Sequence, residues 1–160
     1  MTIATGDRMP DGEFTVMRDG EPVNLTATDL FMGKKVVFVS VPGAFTPTCS
    51  MQHMPGLVEH ADAILAKGVD TIACIAVNDV FVMSAWGRHL GAGDKITMLA
   101  DGNGDYTRAL GLELDGRKIG LGIRGQRFAI IAEDGIVTHL AVEEPACFDV
   151  TKAESILEML

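Results

Sequence analysis

The sequence predicts an α/β protein in which helices cover both faces of a central mixed β-sheet. Two continuous apolar runs rich in β-branched residues, at 35–41 and 68–77, are typical of buried central strands. Each run leads into a segment with helical features, and a strand hairpin closed by Glu133-Asp134-Gly135 follows later in the chain. A length of 160 residues without an internal linker or repeat predicts one domain over residues 1–160.

The other elements follow from local patterns along the chain. Residues 13–18 alternate apolar and polar side chains, which predicts an edge strand that ends in an Asp19-Gly20 turn. Thr151 with Glu154 three residues later predicts a capping box at the start of the last helix. The remaining predicted strands are 95–100, 127–132 and 136–142, and the predicted helices are 48–67, 78–90, 105–110 and 151–160.

Charge and hydropathy exclude two classes of partner. The chain carries 13 Lys and Arg residues against 22 Asp and Glu residues, a formal net charge of −9. Nucleic-acid binding needs clustered positive charge, so we expect no nucleic-acid partner, and the acidity is explained by solubility. The longest uncharged apolar run is far shorter than the roughly 20 residues of a membrane span, and the N-terminal residues lack the pattern of a secretory signal.

The segment after the 35–41 strand carries the candidate chemistry. In such sheets, sites gather where a strand ends and the chain turns into a helix. Thr46 is predicted as the helix N-cap and Pro47 as the first helical residue, which places Cys49 in the first turn. The positive end of a helix favours the thiolate form of a cysteine, and the thiolate is the nucleophile. Cys49 is therefore the candidate nucleophile.

Several other sites are weaker interpretations of the same residues. Ser50, Met51 and Gln52 follow Cys49, so the Cys-x-x-Cys couple of a thiol exchanger is absent. A cysteine phosphatase would have an arginine after five intervening residues beyond its nucleophile to bind phosphate, but this chain has Pro55 there, so the phosphatase interpretation is disfavoured. Zinc could take Cys49 and His53, but two further ligands are not evident, and His53 is better explained as a packing or hydrogen-bonding residue. The letters of residues 120–125 match a dinucleotide fingerprint, but they precede a strand instead of opening a helix, which favours a flexible glycine-rich loop.

The residues around Cys49 resemble the active-site stretch of the peroxiredoxins, and above all of their type II branch with vertebrate peroxiredoxin V. The likeness extends in order over nearly the whole chain, and the family fold is a thioredoxin-like fold with additional elements. The segments that carry it are Pro42–Ser50 (PGAFTPTCS), His53–Gly56 (HMPG), Ala73–Asp79 (ACIAVND), Phe81-Val82, Trp86–Arg88 (WGR), Leu99–Asp101 (LAD) and Arg124–Phe128 (RGQRF).

The resemblance implies a role for each matching residue. Cys49 corresponds to the peroxidatic cysteine and Thr46 to the hydroxyl that binds the peroxide and orients the thiolate. Pro42 corresponds to the residue that shields the pocket from water. Arg127 corresponds to the arginine that stabilises the thiolate and the transition state, with Arg124 as the less favoured alternative. Donors aimed at the leaving oxygen of a peroxide lower the barrier to O–O cleavage, which supports these roles.

The implied function is a thiol peroxidase that reduces hydrogen peroxide and alkyl hydroperoxides through a sulfenic acid on Cys49. The resemblance further implies a cytoplasmic homodimer recycled by glutathione with glutaredoxin, or by thioredoxin, and no metal, haem or flavin is required. The alternative is a redox sensor or chaperone-like interaction protein on the same fold. A glutathione-binding transferase of thioredoxin fold is weaker still, because the peroxide-pocket residues would then be idle.

The other two cysteines are expected to differ from Cys49. Cys74 lies inside an apolar strand and is expected to be buried and inert. Cys147 follows the last strand in a region where some type II relatives carry a resolving cysteine. It falls about three residues before the resolving position of vertebrate peroxiredoxin V, and its acidic neighbours disfavour a thiolate. We therefore expect one-cysteine behaviour with an external thiol as the resolving partner.

Overall fold

A seven-stranded mixed sheet organises the computed structural model, which describes residues 1–160. The strand order is β2-β1-β5-β4-β3-β8-β9, with β3 parallel to β4 and antiparallel to β8. The predicted α/β class with a central mixed sheet is confirmed. The strands of the sheet are β1 (Glu13–Arg18), β2 (Glu21–Thr26), β3 (Lys35–Ser40), β4 (Thr71–Ala76), β5 (Thr97–Ala100), β8 (Phe128–Glu133) and β9 (Ile136–Val142), and a separate ribbon pairs β6 (Glu113–Gly116) with β7 (Gly122–Gly125).

Helices cover the two faces of this sheet. None of them is long and apolar enough to cross a membrane. They are α1 (Ala27–Phe31), α2 (Met54–Glu59), α3 (Ala61–Leu65), α4 (Val80–Leu90), α5 (Asp105–Leu110) and α6 (Ala153–Met159), with a π-helical turn at Cys49–His53 and a 3₁₀ turn at Arg117–Ile119.

Strand β3 separates two cores because successive side chains of a strand point to opposite faces. Val36 and Phe38 contribute to a core rich in aromatic side chains on the face covered by α1 and α5. Val37 and Val39 contribute to the core on the other face, beneath α2, α3, α4 and α6. Cys49 belongs to the second core. The candidate nucleophile is thus embedded between the sheet and its helical layer.

The prediction that 13–18 forms an edge strand is wrong. Strand β1 lies between β5 and β2, and β2 forms the edge. Asp19 and Gly20 both adopt positive φ angles, 51° and 79°, which suits the tight turn of this hairpin. Strand β2 escaped the sequence pattern because it has no continuous apolar run and contains Pro22, which an edge strand tolerates.

The helix predicted over 48–67 is interrupted twice. The residues Cys49–His53 form a π-helical turn that closes with the Met54 amide bonded to the Cys49 carbonyl, and a second break falls at His60. Pro55 has no N–H and cannot continue an α-helical ladder, so the extra residue of the π turn falls just before it.

Two further local predictions are wrong. The glycine-rich segment at 120–125 is no free loop, because β7 pairs with β6. The capping box is also absent: Lys152 is the N-cap of α6, and Thr151 Oγ1 donates instead to Glu143 Oε2 at 2.7 Å. In both cases a bond to a neighbouring segment, which the local pattern does not specify, decides the structure.

Candidate active site

The site lies where the chain leaves β3 and enters the segment Pro42–Thr48. The amide of Ala44 donates to Asn78 Oδ1 at 2.9 Å, and this bond joins the loop after β3 to the loop after β4. Asp79, the next residue, caps α4 by accepting from the Val82 amide. The carboxyl ends of two neighbouring parallel strands therefore shape the site, as expected for an α/β sheet.

Cys49 is completely buried in the first turn of the helical segment. That segment begins at Pro47, and its first backbone bond runs from the Ser50 amide to the Thr46 carbonyl at 2.9 Å. A cysteine at this end of a helix lies near the positive end of the helix dipole. The sulfur of Cys49 has no exposed surface in this conformation.

Arg127 contacts the buried sulfur directly. It immediately precedes β8, and its Nη2 donates to Cys49 Sγ at 2.9 Å. Its Nη1 points to Nδ1 of His53 at 2.7 Å. A guanidinium stays charged at any physiological pH, so this contact places a fixed positive charge beside the sulfur of Cys49.

His53 is a buried, neutral imidazole. Its Nε2 lies 3.0 Å from the Thr151 carbonyl, which can only accept, so Nε2 carries the proton and Nδ1 is left to accept from Arg127. Burial and the charge of Arg127 lower the pKa of His53 to about 4. Both ring nitrogens are engaged, which leaves none for a metal, and no three His, Cys, Asp or Glu side chains of the chain are grouped to hold one.

Thr46 and Pro42 belong to the same loop but do not bond to the sulfur. Thr46 precedes the first helical residue, Pro47, as predicted for the N-cap, and its Oγ1 donates to the Gly43 carbonyl at 2.7 Å. The lone pairs of this hydroxyl can accept from a ligand. Pro42 is half-buried and lines a cavity of about 490 Å³ together with Arg127.

Arg124 supports the loop and does not contact the sulfur. Its Nε donates to the Leu121 carbonyl at 2.8 Å and its Nη1 to the Pro42 carbonyl at 3.3 Å. A Cβ atom added to Gly43 would lie 2.8 Å from Arg124 Nη1, so a larger residue there would displace the guanidinium. Of the two arginines that the sequence offers, Arg127 alone has the geometry to stabilise a thiolate on Cys49.

Comparison with known proteins agrees with this thiol site. The family model described as Redoxin matches residues 4–157. Peroxiredoxin-2E-2, chloroplastic, of Oryza sativa subsp. japonica is 48% identical over 164 residues, which cover 99% of this chain and 73% of that protein. Peroxiredoxin-2B of Arabidopsis thaliana is 46% identical over 159 residues, which cover 99% of this chain and 98% of that protein. The chain belongs to the type II peroxiredoxins.

The structural comparison supports the same assignment. Reduced Prx3 of Vibrio vulnificus in complex with H2O2 superposes with a TM-score of 0.95 at 48% identity, covering 99% of each chain. The predicted peroxiredoxin resemblance and the thioredoxin-like fold are therefore confirmed. The protein is a thiol-dependent peroxidase with an antioxidant function, acting on peroxides with a thiol as reductant.

The other two cysteines of this peroxiredoxin lie in different environments. Cys74 is fully buried in β4, and burial raises the pKa of its thiol, which agrees with the expected inert residue. Cys147 is exposed in the loop between β9 and α6. None of the three cysteines forms a disulfide in this structure.

Sequence reasoning missed three contacts of the site. It treated His53 as a packing or hydrogen-bonding residue without seeing that it binds Arg127, although its position four residues after Cys49 indicates a shared helix face. It gave no partner to Trp86, whose Nε1 donates to Ser50 Oγ at 3.1 Å. It also left Glu143 as one acidic neighbour of Cys147, and nothing in a Glu-Glu-Pro sequence signals a buried carboxylate.

The lowered pKa of His53 predicts a pH dependence of stability. Between pH 6.5 and about 4 the unfolded chain binds a proton at this residue that the folded chain does not bind. The free energy of unfolding should therefore rise with pH across this window, by about 3 kcal/mol in total for this one group. Denaturant unfolding of the wild type and of His53→Asn at several pH values measures the difference. Identical pH slopes for the two proteins would contradict the assignment.

Proposed function

We propose that Cys49 is the residue that reduces the peroxide, with hydrogen peroxide and alkyl hydroperoxides as substrates. The thiolate attacks one peroxide oxygen, the O–O bond breaks, and the leaving oxygen takes a proton to become water or an alcohol. Sulfur loses two electrons and becomes the sulfenic acid. The observation that carries this proposal is the Arg127 Nη2 contact at 2.9 Å to the buried Cys49 Sγ.

The neighbouring groups have matching roles in this proposal. Arg127 stabilises the thiolate and the charge that develops on the leaving oxygen, which is where fixed donors lower a barrier most. Thr46 orients the peroxide through its hydroxyl, whose lone pairs are free to accept from the peroxide O–H. Pro42 excludes water from the pocket. The Vibrio vulnificus relative solved with H2O2 supports a peroxide as the ligand of such a site.

An external thiol is the proposed reductant, namely glutathione with glutaredoxin, or thioredoxin. The thiol attacks the sulfenic sulfur, water leaves and a mixed disulfide forms, which a second thiol then cleaves. A cavity of about 490 Å³ beside Arg127 is within the range that small-molecule ligands occupy. Cys147 lies on the wall of this cavity, but its amide is bonded within its own loop to the Glu144 carbonyl at 2.9 Å.

Reduction by a thiol requires the π-helical turn to open. Cys49 has no exposed surface, so neither a disulfide partner nor glutathione reaches the sulfur in this conformation. The turn at Cys49–His53 lacks one bond of a regular helix, because Pro55 cannot donate to the carbonyl four residues before it. Local opening of this segment is the proposed route to the oxidised sulfur.

The proposed assembly is a cytoplasmic homodimer. Large apolar side chains are exposed around the site, with Phe45 50%, Met51 76% and Phe81 65% exposed, which is typical of an interaction surface. The Phe45 ring lies 6.3 Å from that of Trp86, so a partner there would contact the layer that supports Cys49. Three free thiols agree with a reducing compartment.

The arginine assignment makes a kinetic prediction. Arg127→Ala should slow the reaction with peroxide by about 10²–10³-fold, because it removes the charged donor at the sulfur. Arg124→Ala should slow it less, because Arg124 acts only on the loop. Stopped-flow fluorescence of Trp86, the single tryptophan, follows the reaction, with Cys49→Ser as the unreactive control. A larger loss in Arg124→Ala would show that the wrong arginine was chosen, and slow peroxide turnover by the wild type would favour the redox-sensor function.

The choice of reductant predicts the oxidised product. After one equivalent of peroxide, Cys49 should carry a sulfenic acid, or a glutathione adduct when glutathione is present. Mass spectrometry of the digested protein identifies the product, with Cys147→Ser as the matched control. A dominant Cys49–Cys147 disulfide would show that the resolving thiol is internal.

Local opening predicts rapid amide exchange. Residues 48–54 should exchange their amide hydrogens faster than β3 does, because the π turn opens without global unfolding. Hydrogen–deuterium exchange of the reduced protein provides the measurement. Protection of 48–54 equal to that of β3 would argue for another route to the sulfur.

A further inference from the structure

We propose that His53 is a positioning residue for peroxide reduction: it holds the guanidinium of Arg127 against Cys49, and Glu143 in turn holds His53 through Thr151. The inference deepens the proposed function and depends on Cys49 being the peroxide-reacting thiol. The chain of contacts runs from Glu143 through Thr151, His53 and Arg127 to Cys49, and of these linking residues only Arg127 bonds to the sulfur.

The two contacts of the Arg127 guanidinium are geometrically linked. Nη1 donates to His53 Nδ1 at 2.7 Å, and Nη2 donates to Cys49 Sγ at 2.9 Å. The guanidinium is planar and rigid, so fixing one terminal nitrogen restricts where the other can lie. Arginine otherwise has large rotamer freedom, and a misplacement of about 1 Å at a reacting group can cost on the order of 10²-fold in rate.

His53 can do this only in one tautomer, and Thr151 selects that tautomer. The Thr151 carbonyl accepts from His53 Nε2 at 3.0 Å, which leaves Nδ1 unprotonated toward Arg127. With the proton on Nδ1, two donors would face each other and the contact to Arg127 would be lost. The Phe148 ring packs on the imidazole at a centroid distance of 5.0 Å and keeps it from water.

Glu143 holds the Thr151 carbonyl in place. A single oxygen of this buried carboxylate accepts from the Asp149 amide at 2.7 Å, the Thr151 amide at 2.9 Å and Thr151 Oγ1 at 2.7 Å. Three charge-assisted bonds to one oxygen fix the backbone of 149–151. We call Glu143, Asp149 and Thr151 the carboxylate clamp. It ties the loop that carries Cys147 to the arginine at the reactive sulfur.

Three substitutions of His53 test separately its contact with Arg127 through Nδ1 and its contact with the Thr151 carbonyl through Nε2. His53→Asn keeps an acceptor near the position of Nδ1, His53→Gln keeps a donor near the position of Nε2, and His53→Leu keeps neither. The rate constant for oxidation of Cys49 by H2O2, followed through Trp86 fluorescence, should fall about 10- to 100-fold in His53→Leu and His53→Gln. His53→Asn should retain most of the rate. His60→Leu is the matched control, since His60 bonds its own helix at the Gly56 carbonyl and lies outside the chain of contacts.

A double-mutant cycle separates positioning from a general loss of structure. In an Arg127→Ala background, His53→Leu should change the rate less than twofold, because there is no guanidinium left to position. Circular dichroism and thermal unfolding establish that each variant is folded. Equal rates for His53→Leu and the wild type, or a full His53→Leu effect without Arg127, would overturn the inference.

The carboxylate clamp is tested in the same assay. Glu143→Gln keeps the shape and removes the charge, and it should slow the reaction several-fold in the wild type but not in His53→Leu. Glu133→Gln, at an exposed glutamate paired with Lys35, is the control and should have no effect. An equal loss in both Glu143→Gln backgrounds would show that Glu143 does not act through His53.

Failure of this inference is distinguishable from failure of the proposed function. If Cys49→Ser still shows the peroxide-dependent fluorescence change, the assignment of Cys49 is wrong and the rates of the His53 variants lose their meaning. If Cys49→Ser is silent while all folded His53 variants react like the wild type, Cys49 stands and the positioning role of His53 is wrong.

Discussion

The rest of the site depends on the two contacts of the Arg127 guanidinium, one with the buried sulfur of Cys49 and one with the buried imidazole of His53. A thiolate without exposed surface is costly unless a charged or polar partner compensates it. The register of the sheet supplies that partner. Ser40 pairs with Phe128, so Arg127 is placed beside the chain as it leaves β3 toward Cys49. A shift of one residue in this pairing would turn Arg127 to the other face of the sheet.

The contact between Arg127 and Cys49 also distinguishes the surroundings of two cysteines that are buried in the same core. Cys49 and Cys74 are equally inaccessible and belong to the same hydrophobic cluster. Cys49 has the guanidinium and the start of a helix, whereas Cys74 lies within β4, where burial is the main cause that raises the pKa of its thiol. The two cysteines therefore differ in the charge placed beside the sulfur and not in depth within the protein.

The fold and the position of Cys49 at the start of a helix were accessible from the sequence because both depend on local signals. Continuous β-branched runs predict β3 and β4, and proline after a capping position predicts the helix start near Cys49. Some of what escaped prediction depends on pairing that the local pattern does not specify: β2 and β7 form by pairing with β1 and β6, and Thr151 bonds Glu143 instead of capping α6. The contact of Arg127 with His53, by contrast, joins residues 74 positions apart, which no spacing rule in a single sequence indicates.

The protonation state of His53 tests the account most directly, because the geometry requires Nδ1 to accept from Arg127. Nitrogen-15 NMR of histidine-labelled protein measures it, and comparison with His53→Asn assigns the signal among the four histidines. The account predicts a neutral ring with its proton on Nε2 at neutral pH, persisting to well below the ordinary histidine pKa of 6.5. An imidazolium at pH 6.5, or a neutral ring protonated on Nδ1, would contradict it.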